Sequence, residues 1–126
     1  MKKKITALVM AAAMCLSFAA CGSDNGGDTA KDTYTVGICQ LVQHQALDAA
    51  TQGFKDALKE ELGDKVEFVE QNAANDIPTC GTICNGFVSD GVDLILANAT
   101  PALQAATAAT QSIPILGTAV TEYGVA

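Results

Sequence analysis

The sequence has no arginine and no tryptophan, and its only histidine is His44. Aromatic residues make up 5% of the 126 residues, so large core anchors are few and the many alanines favour helices packed closely on a sheet. After residue 20 the chain carries four lysines against 14 acidic residues, a formal charge of −10. Because such a surface repels phosphate backbones, we predict no nucleic-acid partner. The hydrophobic content of 49% indicates a folded globular body.

The sequence also lacks the residue patterns of an enzyme. It has no Gly-rich phosphate loop, no acidic pair after the first predicted strand, and no serine or cysteine nucleophile close to His44. The C-x3-C spacing of Cys80 and Cys84 is not that of a redox or zinc site. We interpret both as small core residues and leave a disulfide with Cys39 open. We therefore predict no catalytic residue, no metal and no cofactor.

Residues 1–20 have the layout of a secretory signal peptide. Three consecutive lysines precede an apolar run that is too short for a convincing membrane span and ends in small residues. Residues 16–22 resemble a lipobox, in which cleavage precedes a lipid-modified cysteine, here Cys21. We predict a signal peptide over 1–20, a lipid on Cys21, and a flexible Gly-rich tether over 21–33. An ordinary signal peptide cut after Ala20 is the alternative.

Strand-like and helix-like segments alternate along residues 34–126. Predicted strands cover 34–40, 65–71, 92–97 and 113–117, and predicted helices cover 46–62, 78–90 and 101–111. Short connections between alternating elements indicate a parallel sheet with helices on both faces, in the doubly wound, flavodoxin-like order 2-1-3-4. Thr100 followed by Pro101 predicts a hydroxyl N-cap at the third helix.

Ligands of doubly wound sheets bind beyond the carboxyl ends of the strands. Here those positions are 40–44, 72–76, 98–100 and 118–121. They supply hydroxyls, amides and free N–H groups of helix starts, which suit a small polar ligand held by hydrogen bonds.

Several short motifs occur in a familiar order along the folded part. They are YTVGI (34–38), HQALDAA (44–50), QGFKDAL (52–58), QNA (71–73), VSDGVDLI (88–95), TPA (100–102), IPI (113–115) and TAVT (118–121). Together they resemble the ABC-transporter substrate-binding lipoproteins that include receptors for tryptophan and other aromatic or branched amino acids. Gln45 departs from the family, which commonly has proline there.

The resemblance implies an extracytoplasmic, lipid-anchored receptor with a type I periplasmic-binding-protein fold. Such a receptor closes two lobes on a small solute, here an amino acid, and presents it to an ABC permease without reacting with it. The positions expected to contact the ligand lie in three loops: Gln40 and His44; Asn98, Ala99 and Thr100; and Thr118, Ala119 and Val120. At the start of the third helix, N–H groups and the helix dipole favour a carboxylate.

Residues 34–126 are too few for two lobes, and for one complete lobe of this family. We expect them to form the N-terminal part of lobe 1. The alternatives are a stand-alone flavodoxin-like, lipid-anchored module with a signalling or structural role, and a non-functional truncated product.

Overall fold

Four parallel strands form one sheet in the order β2-β1-β3-β4. The computed structural model describes residues 31–121 and residue 124. Its elements are β1 (Tyr34–Gln40), α1 (Gln45–Leu62), β2 (Val66–Asn72), α2 (Ile77–Asp90), β3 (Leu94–Asn98), α3 (Thr100–Ala109) and β4 (Ile115–Thr118), with a 3₁₀ turn at Gly63–Lys65. The predicted strand order and the alternation of strands and helices are confirmed. The signal peptide, Cys21 and residues 21–30 of the predicted tether lie outside the described residues.

The two central strands are buried on both faces of the sheet. Val36, Ile38 and Leu96 pack with half-buried α1 residues, including Phe54 and Leu58. Alternate residues of the same strands face the opposite way and pack with α2 and α3; that second cluster includes Cys39, Ile95, Ala97, Ile83, Phe87, Ala102 and Ala106. Coverage on both faces explains why β1 and β3 are almost continuously apolar in sequence.

Helix α1 follows its sequence signals closely. Asp48 in the first turn and Lys59 in the last turn complement the helix dipole. Gly63 ends the helix with a φ of 58°, and its N–H donates to the Lys59 carbonyl. No helix in the described ranges is both long and apolar enough to cross a membrane.

Strands β3 and β4 each start two residues later than predicted, β4 at Ile115, and the N-cap of α3 also differs from the prediction. The N-cap of α3 is Ala99 and not Thr100, whose hydroxyl is engaged by Thr121 instead, so the N-cap prediction was wrong. Strand β3 starts at Leu94 rather than at residue 92. The N–H of Asp93 donates to the Thr35 carbonyl, and its carboxylate accepts from the Thr35 N–H at 2.9 Å.

Candidate ligand-binding site

The loops at the carboxyl ends of the strands are joined by main-chain hydrogen bonds. The N–H of Asn75 donates to the Leu41 carbonyl at 2.7 Å, and the N–H of Leu41 donates to the Asn98 carbonyl at 3.2 Å. The N–H of Ala99 donates to the Thr118 carbonyl at 3.0 Å. The segments after all four strands therefore form one continuous edge, as the sequence predicted from the parallel topology.

This edge also carries the strained main chain of the described residues. All four non-glycine residues with positive φ follow strands here: Ala74 (53°), Asn75 (65°), Ala99 (93°) and Ala119 (54°). Ala99, with a ψ of 158°, occupies a region that is nearly restricted to glycine. Conformations of this kind cost about 1–3 kcal/mol each and cluster at ligand-binding sites. Ala99 and Ala119 are two of the positions that the sequence assigned to the ligand.

The start of α3 differs from the other two helix starts. His44 caps α1 through Nδ1, which accepts from the Ala46 N–H at 3.2 Å, and the carboxylate of Asp76 caps α2. No side chain caps the first turn of α3. Helix-start N–H groups have no partner within the helix, so α3 presents donors and a positive dipole end at the edge of the sheet.

The residues after β4 lie across from the α3 start. The Thr121 N–H donates to Thr100 Oγ1 at 3.2 Å, and the two hydroxyls are 3.2 Å apart. This contact holds the segment after β4 against α3. Thr118 and Val120 are half-buried, whereas Ala119 is exposed. The structure thus brings together five of the predicted ligand positions: Ala99, Thr100, Thr118, Ala119 and Val120.

Two further predicted positions have their side chains inside the fold. Gln40 is 2% exposed and Asn98 is fully buried, and both side chains meet the hydroxyl of Thr51 on α1. Thr51 Oγ1 donates to Gln40 Oε1 at 2.8 Å, and Asn98 Nδ2 donates to Thr51 Oγ1 at 2.9 Å. The main chain of Gln40 and Asn98 lies at this edge of the sheet. Their side-chain amides point into the fold and hold the loops of the edge in place through Thr51.

The sequence did not lead us to predict a role for Thr51, although its position within an apolar helix face indicated a buried hydroxyl. Leu47, Thr51, Phe54 and Leu58 follow one helical face, so Thr51 is a polar residue within an apolar stripe. A buried hydroxyl at such a position needs a hydrogen-bond partner.

A cavity of about 550 Å³ opens beside the first loop. Its lining combines amides and carboxylates from the ends of β1 and β2 and from α1: Gln40, Val42, Gln43, Asp48, Glu70, Asn72 and Ala74. His44, which follows this loop, is exposed. The cavity provides room next to the first loop for part of a bound solute.

The three remaining cysteines are free and fully buried in the core, which confirms their interpretation as core residues. A hydrogen bond with Cys84 and burial both raise the pKa of the Cys39 thiol well above its ordinary value. Among residues 31–121 and 124, no three or more His, Cys, Asp or Glu side chains form a group that could hold a metal ion.

Comparison with protein families gives one match that covers most of the chain. Residues 35–125 match the family described as ABC transporter substrate binding protein. A curated relative is the tyrosine-binding protein of Clostridioides difficile (strain R20291). It is 42% identical over an alignment 132 residues long, which covers 95% of this chain and 38% of the relative.

Two of the matching solved structures illustrate the likeness in both fold and sequence. The first is a ligand-free, open substrate-binding protein with adhesive properties from Clostridium difficile, with 46% identity and a TM-score of 0.71 over 74% of this chain and 32% of that chain. The second is an ABC domain from Streptococcus pneumoniae in complex with L-Trp, with 33% identity and a TM-score of 0.67 over 71% of this chain and 31% of that chain. This chain therefore has the fold of part of one lobe of a type I periplasmic binding protein, and it spans about a third of these relatives.

Proposed function

The chain belongs to the family of ABC transporter substrate-binding proteins, and we propose that it forms one wall of an amino-acid binding cleft that serves an ABC importer. The observation that carries this proposal is the uncapped start of α3, which lies beside the strained Ala99 and the segment after β4. Charge and hydrogen-bond donors at a helix start suit the α-carboxylate of an amino acid. Such a contact contributes about 0.3–1 kcal/mol, and ~2 kcal/mol when partly buried.

In this proposal the predicted ligand residues have two roles. The N–H groups at the start of α3, those of Thr100 and Ala102, receive the carboxylate. Ala99 lines the same cleft beside them, and Thr118, Ala119 and Val120 line it from β4. His44 contributes from the first loop. Gln40 and Asn98 hold these loops in place through their buried amides.

The ligand class that we favour is an aromatic L-amino acid. One relative is a tyrosine-binding protein at 42% identity, and another was solved with L-Trp at 33% identity.

The remaining parts of the proposal concern location and partners. A signal peptide over residues 1–20, a lipid on Cys21 and a tether over 21–33 would place the domain outside the cytoplasm on the cell membrane, next to an ABC permease. The wall formed by residues 34–121 cannot alone bury the 70–90% of a ligand that tight sites bury. We propose that a second lobe, of the kind that the longer relatives have room for, supplies the other wall.

The proposal is tested by thermal shift on the full-length product of the gene. L-tyrosine or L-tryptophan should raise the Tm, and tyramine, which lacks the carboxylate, should not. Thr100→Asp places a negative charge at the first position of α3 and should abolish the shift by repelling the carboxylate.

The matched control is Ile77→Asp, which adds the same charge at the first position of α2, where Ile77 is 61% exposed. This variant should keep the response to tyrosine. An equal shift with tyramine, or no shift with any amino acid, would contradict the proposal and favour a stand-alone module.

A further inference from the structure

In the hydrogen bonds of the buried Gln40 and Asn98 amides, each donor and acceptor is fixed by its partner. Asn98 Nδ2 donates to the Leu47 carbonyl at 2.9 Å, and because a carbonyl only accepts, this contact fixes the orientation of the Asn98 amide. Gln40 Nε2 likewise faces two acceptors, the Val42 carbonyl at 3.0 Å and Asp48 Oδ1 at 2.6 Å. Gln40 Oε1 must therefore face Thr51.

The hydroxyl of Thr51 bridges the two amides by the shorter hydrogen bonds, at 2.8 and 2.9 Å, whereas the direct bond from Asn98 Nδ2 to Gln40 Oε1 measures 3.4 Å. The hydroxyl donates to Gln40 Oε1, so it accepts the second N–H of Asn98. Asn98 Oδ1 is buried without a partner among the described residues, so the Asn98 side chain is held through its nitrogen alone. Both N–H groups of each amide are already used, and the network cannot rearrange without losing a bond.

The network connects the first loop to the α3 start, two parts of the wall that faces the proposed ligand. Asn98 directly precedes Ala99 and the α3 start, while the Val42 carbonyl and Asp48 belong to the first loop and the first turn of α1. Thr51 itself is 3% exposed and lies more than one helical turn beyond His44, away from the edge. A change at Thr51 therefore reaches the site only through the amides of Gln40 and Asn98.

We propose that Thr51 is a positioning residue for the amino-acid site. Its hydroxyl sets the first loop relative to the α3 start, so that these two parts of the wall are prearranged before the ligand arrives. This inference rests on the proposed function, because it assigns Thr51 a role in the affinity of that site.

The test uses the full-length protein and two measurements on each variant. Titration calorimetry with L-tyrosine gives the Kd, and hydrogen exchange followed by mass spectrometry gives the protection of the segment 41–48. Thr51→Val removes the hydroxyl at constant volume. It should raise the Kd roughly tenfold and speed exchange in this segment, because two buried amides lose a partner. Thr51→Ser, which keeps the hydroxyl, should restore both values.

Thr110→Val is the matched control. Thr110 is also buried, but its hydroxyl accepts from Ser112 and Ile113 after α3, at the opposite edge of the sheet. This variant should lower the Tm and leave the Kd unchanged. Should Thr51→Val not fold, Thr51→Ala provides the same comparison, with room for a bridging water.

The outcomes separate this inference from the proposed function. If wild-type protein binds no amino acid, the proposed function fails. Faster hydrogen exchange over 41–48 in Thr51→Val would then still show that the Thr51 hydroxyl holds the first loop in place. If wild-type protein binds and Thr51→Val binds equally well, the positioning role is overturned. It is also overturned if Thr110→Val loses as much affinity as Thr51→Val at a similar loss of Tm.

Discussion

The ring of Phe87 on α2 lies directly against the main chain of Gly37 on β1. A Cβ atom at position 37 would be 2.7 Å from both Cγ and Cδ2 of that ring, which is far inside contact distance. Gly37 thus permits α2 to approach the centre of the sheet.

This contact predicts a strong effect of a small substitution. Gly37→Ala should lower the free energy of unfolding by about 1–3 kcal/mol, as overpacked cores do. Urea denaturation measures the change. Gly53→Ala, at an open position in α1, should instead raise stability by roughly 0.5–1 kcal/mol. A neutral Gly37→Ala variant would contradict the close approach.

The main chain of Ala99 predicts an unusual response to glycine. Ala99→Gly should raise the free energy of unfolding by about 1 kcal/mol, because relief of the strained φ exceeds the entropic cost of glycine. In an ordinary exposed helix position, Ala57→Gly should lower it by about 1 kcal/mol. Thermal unfolding of both variants gives the comparison, and equal losses would show that Ala99 is not strained.

The alternation and periodicity of the sequence were sufficient to predict the sheet order and most helix bounds. Strand periodicity also puts Gln40 on the same face of β1 as Val36 and Ile38, and Asn98 on the same face of β3 as Leu96. Both side chains were predicted to contact the ligand, and the structure buries both. The failed N-cap at Thr100 has a different cause. Its hydroxyl is engaged by Thr121, 21 residues later, and no local signal reports such a contact.

The site was predictable as a region but not as a set of contacts. Topology alone places the four loops at one edge. The hydrogen bond between Asn98 and Leu47 joins residues 51 positions apart, and it depends on how α1 packs over the sheet. Buried side chains that hold the loops of a site in place are therefore identified only when the packing is known.

The cysteines predict a clear chemical behaviour. Cys39, Cys80 and Cys84 are fully buried, and the raised pKa of Cys39 keeps its thiol protonated, so a maleimide should not modify them in the native protein. Peptide mass spectrometry should find all three labelled in denaturant. Ser112→Cys, at an exposed position, should react under native conditions. Labelling of the three core thiols faster than global unfolding would contradict their burial.

Asp93 predicts how stability depends on acid. A hydrogen bond from Lys31 and the Thr35 N–H hold the pKa of Asp93 below its ordinary value. A lowered folded-state pKa stabilises the fold above the unfolded-state value, and that contribution is lost as the pH falls through the folded-state pKa. The stability difference between wild type and Asp93→Asn should therefore shrink in acid below about pH 4.

Lys31→Met is the control for this effect, because it removes the first cause of the shift and keeps the carboxylate. In urea denaturation across pH 3–7, Lys31→Met should lose part of the free energy of unfolding that Asp93→Asn loses, with the same dependence on pH. A difference that stays constant over this range would show that the ionisation of Asp93 does not contribute to stability.

The central claim is that the start of α3 receives the carboxylate of an amino acid. Its most direct test is the amide ¹H–¹⁵N spectrum of the full-length protein during titration with L-tyrosine. The amides of Thr100 and Ala102 should shift strongly, while those of Ile77 and Thr79 at the capped start of α2 stay in place. Saturable binding that leaves the Thr100 and Ala102 amides unmoved would contradict the account.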